Sequence, residues 1–413
     1  MSENVSAIFG QPDDGGPFRG DFKFSPVERV ITGPGSVTGL ADEMDAAGAS
    51  RALIITGRTL ATKTDLVDRL RSLLGTRCAG VFAESVQHVT RTSVLAATEQ
   101  ARGLGIDAVI SFGGGSANDT AKAVAMALAH DVRSTDDLHA LRMVPRADGG
   151  LVGQVSERKF IPLIAIPTTL SAGEFTAFTG ISDPDRQCKD AFGDPQMRAR
   201  TVILDAELTQ ATPDWLWGST GLRAVDHCVE TVCSTEHLPF GDALALGALE
   251  MLATALPRSV DDPADLVARS ACQQAAMMSI FSFGLIPFGM SHGIGLPLGA
   301  RCDVPHGACS AIVLPEVMDY NRPANAHRQR LIAESLGVDT GGMSDDAAAA
   351  AAAQFLRDFA VRLGIRNRLS DYGVKESDLP GVATSAFDAL TNKTNPVPVG
   401  DADVIVDLLR RVL

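Results

Sequence analysis

The chain has 413 residues, enough for two hydrophobic cores rather than one. Its net charge of −14 argues against nucleic acid and anionic membrane as partners, but a small anionic substrate can still sit in a local basic pocket. The seven cysteines are scattered and form no CxxC pair, which fits reduced thiols in the cytoplasm better than a disulfide framework.

Residues 1 to about 20 are polar and Gly/Pro-rich. They lack the apolar segment of a secretory signal and are expected to form a loose arm. No run of about 18 apolar residues is present, so no membrane span is expected. Strand and helix patterns then alternate. Strands are predicted at Arg29–Thr32, Ala52–Thr56, Gly80–Ala83 and Ala108–Phe112. Helices are predicted at Leu66–Leu74, Val94–Leu104 and Asp119 to about Ala129. This βαβ order implies a parallel sheet with helices on both faces.

The strand ending at Phe112 runs into Gly113-Gly-Gly-Ser116 and then Asn118-Asp-Thr-Ala-Lys122. Glycines let a ligand approach the backbone, and the helix start that follows offers unpaired N–H groups and a positive dipole end. The combination suits the pyrophosphate of a dinucleotide, with Gly114, Gly115, Ser116 and Asp119 as candidate contacts. A ligand-free tight turn is the plainer alternative. There is no Walker GK[ST], so ATP chemistry is not expected. Residues 131–158 read as a long loop. A strand over Phe160–Ile166 then leads into Pro167-Thr-Thr169 and Ser171. These hydroxyls fit either a binding site at a strand end or a helix cap.

After Val202–Asp205 the strand signals fade. Ala/Leu/Met-rich stretches at 220–234, 241–256, 262–281 and 348–363 predict a helical second domain, so the division is 1–208 and 209–413. A cleft between two such domains is a usual place for a small-molecule site. Three of the eight histidines stand in distinctive settings here. His227 lies four residues after Arg223 on one helix face. His292 and His306 bracket Leu296-Pro-Leu-Gly299, which reads as a turn. Three imidazoles suggest a transition-metal site, but arginine stays protonated and cannot ligate. Asp226 reads as pointing away from the face of His227. Arg223 has the plainer option of pairing with Asp226 or Glu230 along the helix.

With these motifs in order, the chain resembles the iron-containing (group III) alcohol dehydrogenase superfamily, most closely its maleylacetate reductase-like branch. The motifs are Gly113–Lys122, Pro167-Thr-Thr169, Gly221–Glu230, Ser291–Gly295, Pro305-His-Gly307, Leu314–Asn321 and Thr394-Asn-Pro396. The resemblance implies an α/β N-terminal Rossmann-like domain plus an all-α C-terminal domain, the dehydroquinate synthase-like architecture. It implies NADH or NADPH bound by the glycine turn, with Thr168, Thr169, Ser171 and Lys189 near the nicotinamide, and a homodimer. The strand end at Gly57-Arg58 carries no acid for a ribose 2′-hydroxyl, so the choice between NADH and NADPH stays open.

In metal-dependent members the ligands are one Asp and three His. His227, His292 and His306 match the histidines, but Arg223 stands at the Asp position. The reaction implied is metal-independent reduction of a small carboxylated keto or ene substrate, maleylacetate to 3-oxoadipate. Arg223 would bind the anion, and His227, His292 or His306 would donate the proton. Two alternatives stand: an iron- or zinc-dependent alcohol or aldehyde dehydrogenase using those three histidines, and a non-catalytic NAD(P)-binding relative.

Overall fold

The computed structural model describes residues 27–145, 151–153, 155–183, 186, 188–286, 289–388 and 395–413. The expected N-terminal arm and Thr394 lie outside them. Two compact units result, dividing after Pro213.

The first unit contains strands β1 (Arg29–Thr32), β2 (Ala52–Thr56), β3 (Cys78–Phe82) and β4 (Ala108–Gly113), with the short β5 (Val144–Pro145) and β6 (Leu151–Val152). They are followed by β7 (Leu163–Pro167), β8 (Phe178–Asp183), β9 (Cys188–Gly193) and β10 (Thr201–Leu204). Its helices are α1 (Leu40–Ala46), α2 (Arg58–Lys63), α3 (Leu66–Leu74), α4 (Arg91–Leu104), α5 (Gly115–Ala129), α6 (Thr135–Ala140) and α7 (Ala206–Thr209). The main sheet is parallel throughout, in the order β1-β10-β7-β4-β2-β3. Period-two alternation sends Ile54, Ile110, Ile164 and Ile203 to one face, where they pack on Leu40 and Met44 of α1 and Leu70 and Leu74 of α3. The Ala-rich α5 is buried nearly all round and packs on β4, β7 and β2.

Two features were not legible as elements. Residues 131–158 are not one loop: α6 forms there, with Ser134 and Asp137 capping each other. The β8–β9 hairpin is antiparallel and separate from the main sheet. Arg91 at the start of α4 anchors it, pairing with Asp183 (3.1 Å) and with Asp190.

The second unit is helical: α8 (Asp214–Cys233), α9 (Pro239–Asp261), α10 (Leu266–Phe283), α11 (Met290–Cys302), α12 (His306–Ser335), α13 (Asp345–Arg362), α14 (Leu379–Asp388) and α15 (Ala402–Arg411). Helix α8 packs against α9, α10 and α12, which explains why it is buried almost throughout from Trp217 onward. Helix α9 is long and apolar enough to cross a membrane by length and composition, yet here it packs on α8 and α10. The expected Leu296–Gly299 turn is instead part of α11, which continues through Pro297. Met290, Ile294 and Leu298, at four-residue spacing, are fully buried in one cluster with α12, α14 and α15. That burial outweighs the one hydrogen bond a helical proline forgoes.

Candidate active site

In the α/β unit the chain goes from β2 out to β3, then returns to β4 on the other side of β2. The reversal lies between β2 and β4, so Gly57 and the Gly113–Ser116 turn flank the point where such sheets bind ligands. Gly113 has φ 141°, a value that side chains disfavour, and Gly114 caps α5. The helix starts at Gly115 rather than the expected Asp119, because glycines hid its first turn from a propensity reading. Gly115 and Ser116 therefore lie in that first turn, where N–H groups lack helical partners.

The neighbouring strand delivers the hydroxyls. Thr168 N–H donates to the Gly113 carbonyl at 2.9 Å. A Cβ on Gly114 would come within 3.1 Å of Thr169, and one on Gly115 within 3.3 Å of Ser171 Oγ. Gly114, Gly115, Thr169 and Ser171 are thus brought together. Asp119 and Lys189 form a second group beside the hairpin, where burial raises the Asp119 pKa against the pull of Lys122 and Lys189. Lys122 itself is fully buried, donating to Thr176 Oγ1 (2.8 Å) and to the Gly173 and Phe178 carbonyls (2.5 and 3.0 Å). It ties α5 to the segment leading into β8.

In the helical unit the site grows from α8. Arg223, Asp226, His227 and Glu230 follow the helical repeat along one side. The buried Glu230 carboxylate accepts N–H bonds from Gly289 (2.9 Å), Ser291 (2.6 Å) and His292 (3.3 Å), and so caps the N-terminus of α11 from outside. A Cβ at 289 would lie 2.5 Å from the carboxylate, so glycine is what lets the two approach without displacing Glu230. The cap fixes His292, whose Nδ1 lies 2.7 Å from Glu230 Oε2. The His227 ring stacks on His292 (centroids 5.1 Å apart) and on Phe283 (4.8 Å).

Asp226 overturns the expectation that it points away. Its Oδ2 accepts from Ser310 Oγ (2.6 Å) and Ser291 Oγ (3.1 Å) and lies 3.5 Å from both Arg223 Nη1 and His292 Nδ1. Because α8 is packed on several sides, adjacent residues 226 and 227 can both face protein partners. Arg223 Nη1 also donates to Ser310 Oγ at 3.0 Å. Its Nε and Nη2 have no hydrogen-bond partner among the described residues, and its side chain is 15% exposed. One edge of the guanidinium is anchored, and the other makes no hydrogen bond among the described residues.

Burial sets the protonation states. It takes the His292 pKa down to about 3, helped by Arg223 and opposed by Asp226. His227 is lowered well below its ordinary value by burial and by His292 and Arg223, so both imidazoles are neutral at pH 7. Burial raises Asp226, and it pushes Glu230 up to about 7 despite the backbone N–H groups.

A metal ion shared by the three histidines would draw their nitrogens to about 3–4 Å of one another. His227, His292 and His306 form no such group among the described residues, and His306 is half-buried at the start of α12. The group that does form, with ligand atoms all within 4.8 Å of one another, is Asp226, Glu230 and His292. Backbone N–H groups engage both Glu230 oxygens, and two hydroxyls engage Asp226 Oδ2. Asp226 Oδ1 is buried without a hydrogen bond among the described residues. Among the described residues the three histidines are thus not gathered as a ligand group, and Asp226, Glu230 and His292 are the residues that could hold an ion. Asp226 and Glu230 were missed as site members; their i, i+4 spacing on the histidine helix was the available signal.

Comparison with known proteins agrees with this architecture. Residues 27–206 match the family described as iron-containing alcohol dehydrogenase, and residues 218–413 match its C-terminal family. The sulfoacetaldehyde reductase of Bilophila wadsworthia is 31% identical over 390 residues, covering 93% of this chain and 97% of that protein. The lactaldehyde reductase of Escherichia coli is 32% identical over 394 residues, covering 92% and 96%. The crystal structure of maleylacetate reductase from Agrobacterium tumefaciens superposes with a TM-score of 0.76 at 27% identity, covering 96% and 98%. The maleylacetate reductase branch is therefore one of several similar matches rather than the distinguishing one. The chain belongs to the iron-containing alcohol dehydrogenase family and is an NAD(P)-linked oxidoreductase of a small carbonyl or alcohol substrate.

Proposed function

We propose that the chain interconverts a small aldehyde and its alcohol with NAD(P)(H), and that the substrate carries an anionic group held by Arg223. The observation behind this reading is the half-anchored guanidinium. Nη1 is held by Ser310 and Asp226, which leaves the Nε/Nη2 edge able to take a carboxylate or sulfonate in bidentate fashion. Sulfoacetaldehyde, the substrate named for one relative, has such a group next to a reducible carbonyl. Maleylacetate has carboxylates and remains a candidate, while lactaldehyde is the uncharged control of similar size.

A bound nicotinamide cofactor would supply the hydride for the carbonyl carbon, and the chain's own residues would supply the proton for its oxygen. His227 and His292 are neutral, so neither gives that proton as an imidazolium. His292 has Glu230 at 2.7 Å as a backing acid. As His292 Nε2 gives up its proton, Nδ1 takes one from Glu230, whose raised pKa keeps a proton available near neutrality. His306 is the remaining candidate donor. In a panel of sulfoacetaldehyde, maleylacetate and lactaldehyde, each with NADH and NADPH, the anionic carbonyls should be turned over with the higher kcat/KM. A preference for lactaldehyde would refute the role of Arg223.

The cofactor would lie on the Gly113–Ser116 turn, with Gly57, Thr168, Thr169 and Ser171 around it and Asp119 and Lys189 beside the hairpin. Gly114→Val is expected to raise the Kd for the reduced cofactor at least about tenfold, because a branched side chain would crowd Thr169 and cover the start of α5. Fluorescence titration of bound NADH or NADPH measures this, and unchanged binding would move the pyrophosphate elsewhere.

The Asp226–Glu230–His292 group favours a second reading, a metal-dependent alcohol or aldehyde dehydrogenase. Those three residues would hold the ion, which when bound polarises the carbonyl oxygen. Elemental analysis of the purified protein separates the two: one equivalent of iron or zinc per chain supports the second reading.

A further inference from the structure

We propose that Asp226 is the positioning residue of this site, holding Arg223 in the orientation that meets the substrate's anion. This rests on the reading of Arg223 given above. Four groups from three helices converge on Asp226 Oδ2: Arg223 from α8, Ser291 and His292 from α11, and Ser310 from α12. The direction of the network is fixed by its ends. Arginine can only donate and an ionised carboxylate can only accept. Ser310 must therefore take its bond from Arg223 and give its single proton to Asp226. Asp226 thus orients Ser310, and the two together hold Nη1 on one side.

Stability alone is a poor account of this aspartate. It is fully buried, and Oδ1 has no hydrogen bond among the described residues. An unpaired buried carboxylate oxygen is costly, and an apolar side chain of similar size would avoid that cost. The acid is explained if the site needs a negative charge beside Arg223. That charge holds Nη1 on the Ser310 side and leaves Nε and Nη2 without a hydrogen-bond partner among the described residues.

The test is a double-mutant cycle read separately in kcat and KM. Asp226→Asn is expected to raise KM for sulfoacetaldehyde about tenfold, more than it alters kcat, and to lower the ratio of kcat/KM for sulfoacetaldehyde over lactaldehyde by a similar factor. In an Arg223→Gln background the same change should have almost no further effect. Ser310→Ala, which removes the bridge and keeps both charges, should give a smaller rise in KM of the same kind and covers the case in which Asp226→Asn fails to fold. Equal losses on both substrates, or additive effects of the Arg223 and Asp226 changes, would overturn the proposal and leave Asp226 as structural. If Arg223→Gln alone fails to separate the two substrates, the reading of Arg223 falls first, and the positioning role falls with it.

Discussion

Arg223→Gln is expected to lower kcat/KM for an anionic aldehyde by about 30–150-fold while changing a neutral aldehyde of similar size less than about threefold. The first figure corresponds to about 2–3 kcal/mol, the upper range for hydrogen bonds to a charged group. The selectivity follows from the geometry. Nη1 is occupied by Ser310 and Asp226, so the part of the guanidinium that can reach a substrate is the Nε/Nη2 edge. Gln keeps some length and polarity but has neither the charge nor the fork. The fold should survive, since Asp226 retains its two serine hydroxyls. Steady-state kinetics on sulfoacetaldehyde and lactaldehyde checks the result. A parallel fall on both would mean that Arg223 supports the site generally rather than reading substrate charge.

Glu230→Ala is expected to destabilise the helical unit by about 3 kcal/mol. Glu230 accepts three backbone N–H groups at the start of α11, and those donors are left without it in a buried place. His292 then loses both its backbone anchor and its nearest acid. Glu230→Gln keeps an acceptor and should lose clearly less. Both tryptophans of the chain, Trp215 and Trp217, lie on α8, so urea unfolding followed by their fluorescence reports on this unit. A loss below about 1 kcal/mol for the alanine variant would mean that water or other groups cap α11 instead.

Much of the α/β unit was readable because its signals are local. Buried strands such as Ala52–Thr56 are continuous apolar runs, and β4 leads straight into its glycine turn. The errors arose where local signals conflict with packing. Glycines at 114 and 115 suggested a loop, yet they begin α5. Pro297 suggested a turn, yet α11 runs through it because Ile294 and Leu298 are buried on both sides of it in sequence. The three candidate histidines and Arg223 stand out by motif. What could not be read was which acid answers Arg223. Spacing along α8 offers both Asp226 and Glu230, and the choice is made by serines 65 and 84 residues away in sequence and by the N-terminus of α11. Such long-range hydrogen bonds leave no periodic trace. The same limit hid the Asp226–Glu230–His292 group behind the three-histidine pattern.

The most direct test of the account is turnover of sulfoacetaldehyde and lactaldehyde by protein of known metal content, before and after chelation. A fixed guanidinium that meets an anionic substrate predicts higher kcat/KM on sulfoacetaldehyde, with turnover unchanged by the chelator. Activity abolished by chelation and restored by iron or zinc would contradict it, and would place the electrostatic work on an ion held at Asp226, Glu230 and His292.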